Sequence, residues 1–213
     1  EGAPALYFRG RDNALATLDA LLDEHGLEHA TEVLLAGCSA GGVAAVLLAD
    51  EMRARIQARA RGRVLVVALA DSSVFPDWPS GPPPAGLLEF PQFEWIYRTT
   101  NASHAAPRTC ASRGLGWRCL QVGVALPHVA TPVFLLQSAA DSWHVRNASD
   151  PRALTALAAR MREALLPAVA WPHAAAVDAC FHHCAAWGDI RWGGESNAEL
   201  FGRWYAARRR EWL

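Results

Sequence analysis

The sequence predicts an α/β fold with a mostly parallel sheet and helices on both faces. Three continuous apolar runs of strand length, residues 33–36, 64–69 and 132–136, alternate with stretches that have helical spacing. Uninterrupted apolar runs suit strands that are covered on both faces, as in a parallel sheet. The 213 residues are 52% apolar and carry a formal charge of −1, so they can form one domain with a substantial core.

Four helices are expected before, between and after these strands. Residues 12–22 have capping side chains followed by apolar positions at helical spacing, and Gly26 ends the element. Residues 40–61 are alanine- and leucine-rich and then arginine-rich, which predicts one long helix. An Asp-Pro pair opens a helix over residues 150–166, and the last helix is predicted over residues 197–210.

One long segment, residues 76–113, interrupts the alternation of strand and helix. It is rich in proline and aromatic residues and has no strand or helix pattern of its own. A connection of that length in a compact domain is usually a lid or a binding loop. Because we find no internal repeat and no linker, we expect a single domain over residues 1–213 with this excursion outside the sheet.

Composition excludes several classes of function. All basic residues are arginines, so a lysine Schiff base is excluded, and the near-neutral charge gives no indication of a nucleic-acid partner. The arginine clusters at residues 53–63 and 208–210 are interpreted as solvated helix faces. No apolar run approaches the ~20 residues of a membrane span, and the first residues lack a signal-peptide pattern. The chain begins without methionine, which predicts a processed or truncated protein.

The most informative motif is the sequence Gly-Cys-Ser-Ala-Gly at residues 37–41, followed by Gly42. It lies between a predicted strand and a predicted helix, which is the context of the nucleophile elbow of α/β-hydrolases. In such a turn Ser39 would be held in a strained backbone conformation at the edge of the sheet. The alternative is a glycine-rich turn without chemical consequence.

A serine nucleophile needs a histidine base and an acid that orients the imidazole. In α/β-hydrolases these residues follow in the order serine, acid, histidine. The residues alone leave two acids, Asp71 and Asp141, which both follow predicted strands, and three histidines, His173, His182 and His183. The adjacent histidines have two other interpretations, a surface pair or a metal site with cysteines. We expect no metal, because further ligands at zinc spacing are missing.

The five cysteines suggest disulfide bonds. Cys110 and Cys119 are close in sequence, as are Cys180 and Cys184, so local pairing would leave Cys38 as a free, buried thiol. Sequence alone does not fix this connectivity. A disulfide between Cys180 and Cys184 would staple the loop that carries the paired histidines.

Two glycosylation sequons begin at Asn101 and Asn147. Together with the paired cysteines they indicate an oxidising, secretory compartment.

Five segments then resemble, in the same order, landmarks of a known family. They are residues 6–10 (LYFRG), 33–42 (VLLAGCSAGG), 70–75 (ADSSVF), 132–143 (PVFLLQSAADSW) and 179–184 (ACFHHC). The family is that of pectin acetylesterase and Notum, which are secreted carboxylesterases. The resemblance implies an α/β-hydrolase-like fold that lacks its N-terminal part.

The resemblance also implies roles for single residues. Ser39 corresponds to the nucleophile, Asp141 to the triad acid, and His183 to the base, because it directly precedes the cysteine in the family pattern. His182 becomes a neighbour, and Asp71 a structural residue or one that shapes the pocket.

This sequence departs from the family in the hydrogen-bond donors that would stabilise the tetrahedral intermediate. The Ala40 N–H is one expected oxyanion donor, being the residue after the nucleophile. The family's other donors come from an upstream segment resembling Gly-Gly-Gly-Trp-Cys, which these residues do not contain. Loss of one oxyanion donor typically costs about 10²–10³ in rate. The chain is therefore expected to be a fragment of a longer enzyme or a divergent copy.

Three functions follow as hypotheses. The first is a secreted, extracellular or cell-wall serine esterase that removes O-acetyl groups from polysaccharide. The second is a Notum-like deacylase that removes a fatty acyl group from a protein. The third is a non-catalytic remnant or binding domain. We expect no cofactor and a monomer that binds an acetylated polysaccharide or another O-acyl ester.

Overall fold

The computed structural model describes residues 7–78, 81–88, 92–145 and 150–212. Within these residues, four parallel strands form one sheet in chain order: β1 (Glu32–Cys38), β2 (Leu65–Asp71), β3 (Val133–Ser138) and β4 (Ala174–Asp178). A short antiparallel pair, β5 (Arg191–Trp192) and β6 (Glu195–Ser196), follows near the end of the chain. The predicted α/β class with a parallel sheet is confirmed.

Helices cover both faces of the sheet. The helices are α1 (Gly10–Glu24), α2 (Ala40–Leu47), α3 (Ala49–Arg59), α4 (Phe93–Thr99), α5 (Arg108–Ala111), α6 (Val122–Ala125), α7 (Pro151–Leu165) and α8 (Asn197–Trp212). Short 3₁₀ turns occupy Leu27–His29, Ala102–Ala105, Gly116–Leu120 and Leu126–His128. No helix in the described part of the chain is both long and apolar enough to cross a membrane.

The central strands carry apolar side chains on both faces. On one face, Val46 of α2 and Leu157 and Met161 of α7 pack with Ala68 of β2 and Leu135 of β3. α1 and α3 extend this layer over the start of β2.

The opposite face of the sheet is covered by α8. Trp204 of α8 is buried against Val67 and Leu69 of β2 and Phe134 of β3. The two layers explain why β2 and β3 consist of uninterrupted apolar residues.

Two elements differ from the sequence-based expectation. Residues 40–61 form two helices, because the backbone of Leu48 (φ −95°, ψ −3°) bends the chain between α2 and α3. The bend brings α3 against α1, where Arg55 pairs with Asp19 at 2.7 Å. β4 was not predicted, because an alanine-rich run has no strong strand propensity of its own. Its pairing with β3 is what makes it a strand.

The connection from β2 to β3 contains the predicted excursion. It leaves the sheet after Asp71 and returns at Val133, so it extends beyond residues 76–113. α4, α5 and α6 lie within it, and a disulfide joins Cys110 to Cys119, as their spacing predicts. Residues 79–80 and 89–91 of this connection lie outside the described residues.

The other disulfide corrects the predicted connectivity. Cys184 is bonded to Cys38, not to Cys180, which is a free, exposed thiol. Cys38 is exposed as well, so its prediction as a buried thiol is also wrong. The reason is the path of the loop after β4, which turns back across the carboxyl ends of β3 and β2. It therefore carries Cys184 to the end of β1, away from its sequence neighbour Cys180.

Candidate active site

The turn between β1 and α2 has the geometry of a nucleophile elbow. Ser39 adopts φ 57° and ψ −126°, a strained conformation for a residue with a side chain. A Cβ at Gly37 would lie 2.2 Å from the Gly41 carbonyl oxygen, and one at Gly42 would lie 2.8 Å from the Cβ of Ser73. The glycines at 37 and 42 are therefore required for strand and helix to pass closely, whereas a Cβ at Gly41 would meet nothing within 4 Å.

Asp141 is fully buried and each of its oxygens is hydrogen-bonded. Gln137 Nε2 donates to Oδ2 at 3.0 Å, and the backbone N–H of Trp143 donates to Oδ1 at 2.9 Å. The Nδ1 atom of His183 lies 2.8 Å from Oδ1 and 3.0 Å from Oδ2. An ionised carboxylate only accepts hydrogen bonds, so Nδ1 carries the proton and Nε2 is left as a base.

A disulfide bond joins the residue before Ser39 to the residue after His183 and so holds the two segments next to each other. Cys38 precedes Ser39, Cys184 follows His183, and the Cα atoms of the two cysteines are 6.0 Å apart. One ring nitrogen of His183 and both sulfur atoms lie within 4.8 Å of one another. Both sulfur atoms are used in the disulfide, so this cluster is not a set of thiolate metal ligands.

The other residues considered as base or acid are His182, His173 and Asp71. His182 contacts a different carboxylate: its Nε2 lies 3.0 Å from both oxygens of Asp178, the last residue of β4. His173 lies at the opposite end of the sheet, where its Nδ1 accepts a hydrogen bond from the N–H of Val133 at the start of β3. Asp71 accepts hydrogen bonds from Ser72 Oγ and from the backbone N–H of Ala185, two residues after His183.

An apolar cavity of about 600 Å³ opens at Ser39 and at Ala40, the first residue of α2. Its walls include Val43 and Leu47 of α2, Phe75, Phe93 and Ile96 of α4, and Leu120. Trp143, which follows the predicted acid, also lines it. The excursion between β2 and β3 therefore contributes much of one wall.

Two polar residues near the site were missed by sequence reasoning. Gln137 is buried, and besides its bond to Asp141 it accepts from the N–H of Val74 at 3.0 Å. His144 is buried beside Phe75 and Trp143, and this burial lowers its pKa below the ordinary value because desolvation disfavours the charged ring. Asp141 opposes that shift but does not reverse it. Their positions, four residues before and three residues after Asp141, were the available signal.

One of the two glycosylation sequons begins within the described residues and the other begins outside them. Asn101 is exposed in a left-handed conformation (φ 51°), within the excursion. Asn147 lies outside the described residues. Glycosylation at either residue stays a prediction.

The parallel sheet with a strained serine at the end of its first strand places this chain among the α/β-hydrolase-like proteins. The fold is similar to that of the Wnt deacylase Notum from Drosophila, with a TM-score of 0.82 at 20% identity over 98% of this chain and 63% of that one. A family model, Pectinacetylesterase, matches residues 1–160, and the chain belongs to this family. That match includes Ser39 and Asp141 but ends before His183.

Curated relatives agree with the family. The chain is 23% identical to pectin acetylesterase 7 of Arabidopsis thaliana, over 97% of this chain and 59% of the relative. It is 26% identical to the palmitoleoyl-protein carboxylesterase NOTUM of Schmidtea mediterranea, over 71% of this chain and 30% of the relative. The chain thus spans less than two thirds of the relatives it matches. Both of these relatives are named as esterases.

Proposed function

We propose that this chain carries the catalytic residues of a serine carboxylesterase that hydrolyses O-acyl esters through an acyl-enzyme. The contact between Asp141 and His183 supports the two residues as acid and base, and the strained turn supports Ser39 as nucleophile. The disulfide between Cys38 and Cys184 keeps base and nucleophile on neighbouring segments. The cavity that opens at Ser39 is the observation on which the proposal depends.

The proposed reaction has two steps. In the first, His183 Nε2 takes the proton of Ser39 as its hydroxyl oxygen attacks the ester carbonyl, and then protonates the departing alcohol. In the second, water attacks the acyl-enzyme with His183 again as base. Asp141 holds the imidazole and stabilises its charged form. The Ala40 N–H is one donor to the oxyanion.

The cavity favours an acyl group longer than acetyl. Its walls are mainly apolar, with Arg11 as the charged lining residue, and a volume of about 600 Å³ lies within the range of pockets that enclose whole small molecules. Each methylene of an acyl chain that is buried there would contribute about 0.8 kcal/mol. We therefore propose a medium or long acyl ester as substrate, in line with the Notum-like hypothesis.

Acetylated polysaccharide is the second candidate substrate. The family match and the similarity to pectin acetylesterase 7 favour it. In that case the sugar would lie at the mouth of the site and the acetyl group would occupy a small part of the cavity.

Labelling with a fluorophosphonate tests the serine mechanism directly. We expect stoichiometric labelling of the folded protein, because the probe reacts with a hydroxyl that a neighbouring base activates. The Ser39→Ala variant should not be labelled. Failure of the wild-type protein to react at Ser39 would contradict the esterase and favour the non-catalytic hypothesis.

Ala44 offers a test of the acyl cavity. It is an exposed residue of α2 that lines the cavity, so Ala44→Phe places a ring in the open volume without displacing the core. We expect kcat/KM for an octanoyl ester to fall about a hundredfold, because three or four methylenes lose their apolar site. Hydrolysis of the acetyl ester should change little.

Ala16→Phe is the matched control for that substitution. Ala16 is exposed on α1 and is not among the cavity-lining residues, so the added ring should leave both esters unaffected. The absence of a selective loss on the octanoyl ester in the Ala44 variant would show that the acyl chain binds elsewhere.

We also propose that the protein is secreted. Two disulfides support this location, because such bonds persist in oxidising compartments. The exposed Asn101 sequon is in accord with it.

A further inference from the structure

We propose that Asp71 and Ser72, at the end of β2, are positioning residues that hold the nucleophile turn and the histidine loop in register. The inference rests on the proposed function, since it concerns the geometry of Ser39 and His183. β2 lies between the strand that leads to Ser39 and the strand that leads to Asp141. Its carboxyl end is therefore adjacent to both parts of the site.

The first contact is with the nucleophile turn. The backbone N–H of Ser39 donates to the carbonyl oxygen of Asp71 at 2.8 Å. This bond fixes the backbone of the strained residue and does not use its hydroxyl group.

The side chains of Asp71 and Ser72 reach the other part of the site, the loop that carries the base. The N–H of Cys184 donates to Ser72 Oγ at 2.8 Å, and the N–H of Ala185 donates to Asp71 Oδ2 at 2.8 Å. Ser72 Oγ in turn donates to Asp71 Oδ1 at 2.9 Å. The two backbone groups that follow His183 are thus both bound by this pair of side chains.

Backbone strain shows why such anchoring is needed. Cys184 and Ala185 have φ values of 64° and 62°, Ser72 has 49° and Ser39 has 57°. Non-glycine residues in this region cost of order 1–3 kcal/mol each and persist only where the surroundings hold them. Asp71 and Ser72 are 6% and 0% exposed, so their hydrogen bonds are not replaced easily by water.

These contacts also separate the roles of the two carboxylates. Both oxygens of Asp71 are used by Ser72 and Ala185, whereas both oxygens of Asp141 lie within 3.0 Å of His183 Nδ1. Asp71 therefore acts on the base through the backbone and does not share its proton.

Substitution of Asp71 tests this role. In Asp71→Ala the N–H of Ala185 loses its acceptor, and we expect kcat to fall about a hundredfold with KM nearly unchanged, as for a misplaced catalytic group. Asp71→Asn should restore most of the activity, because its oxygen can accept from Ala185 and its amide can donate to Ser72 Oγ. An Asn variant that is as inactive as Asp141→Asn would overturn the proposal, since Asp71 would then hold a proton or charge.

A second readout does not depend on activity. The Nδ1 proton of His183 should give a downfield ¹H NMR signal in the free protein, identified by its loss in Asp141→Asn. We expect this signal to be lost through exchange broadening in Asp71→Ala and retained in Asp71→Asn. Full retention of the signal and of kcat in Asp71→Ala would overturn the proposal.

Failure of the proposed function can be told apart from failure of this inference. If the wild-type protein neither reacts with fluorophosphonate nor hydrolyses esters, the proposed function fails, and the NMR result still decides the positioning role.

Two further variants keep the test decisive. Should Asp71→Ala fail to fold, Ser72→Ala removes only the acceptor for Cys184, and it should lower kcat about tenfold and broaden the same signal. Asp50→Ala is the matched control, because Asp50 accepts from the N–H groups of Ala130 and Thr131 before β3, at the other end of the sheet. It should lower the melting temperature but leave kcat and the His183 signal unchanged. An unchanged kcat and signal in Ser72→Ala would count against the proposal.

Discussion

Replacing Asp141 with asparagine is expected to lower kcat about ten-thousandfold while the protein stays folded. Both oxygens of Asp141 can accept from His183 Nδ1, whereas an asparagine has one acceptor oxygen and one NH₂ donor. The imidazole is then no longer held in the tautomer that leaves Nε2 as a base. The variant also lacks the negative charge that stabilises the imidazolium. Steady-state kinetics on a chromogenic ester, at a pH where the wild-type protein is fully active, measure the loss.

Asp178→Asn is the matched control for this prediction. Asp178 and His182 form a second carboxylate–histidine pair directly beside the first, and Asp178 is buried as well. We expect at most a tenfold decrease in kcat, because it is His183, and not His182, whose ring contacts Asp141. A larger loss in Asp178→Asn than in Asp141→Asn would assign the base to His182 and refute the choice of His183.

The second large effect concerns stability. Breaking the disulfide between Cys38 and Cys184 by Cys38→Ala should lower the free energy of unfolding by about 5 kcal/mol, because the bond closes a loop with a sequence separation of 146 residues. Natural domains have only about 5–15 kcal/mol in total, so the variant should be close to unfolding at room temperature. Urea unfolding under oxidising conditions measures the difference.

Cys180→Ala distinguishes the connectivity of the structure from that expected from spacing. Cys180 is exposed and unpaired, so its replacement should change the free energy of unfolding by no more than about 0.5 kcal/mol. If Cys180→Ala destabilises the protein and Cys38→Ala does not, the bond joins Cys180 to Cys184 instead. Peptide mapping without reduction gives the same answer independently.

The local parts of the site could be predicted from the sequence, because their chemistry is encoded in short segments. Residues 37–42 predict a strained turn. In the structure Ser39 has a positive φ, and Gly37 and Gly42 on either side of it have no room for a Cβ. Gly41, by contrast, has room for a Cβ. The Asp150-Pro151 pair predicted a helix start, and the Asp150 side chain accepts from the N–H groups of Arg152 and Ala153.

Contacts that depend on the path of the chain could not be predicted. β4 is a strand only because β3 pairs with it, and an alanine-rich segment does not show that by itself. The partner of Cys184 was mistaken for the same reason, since closeness in sequence is no guide where a loop crosses a sheet.

The sequence by itself determined the class of fold, the nucleophile turn and the family, because apolar periodicity, glycines and motif order are properties of short stretches of chain. Only the tertiary structure decided which carboxylate meets His183, which cysteine is joined to Cys184, and that Asp71 and Ser72 bind the backbone that follows His183. These are contacts between residues 42 to 146 positions apart. They arise because parallel strands bring their carboxyl ends to one edge, where the connecting loops pack against each other.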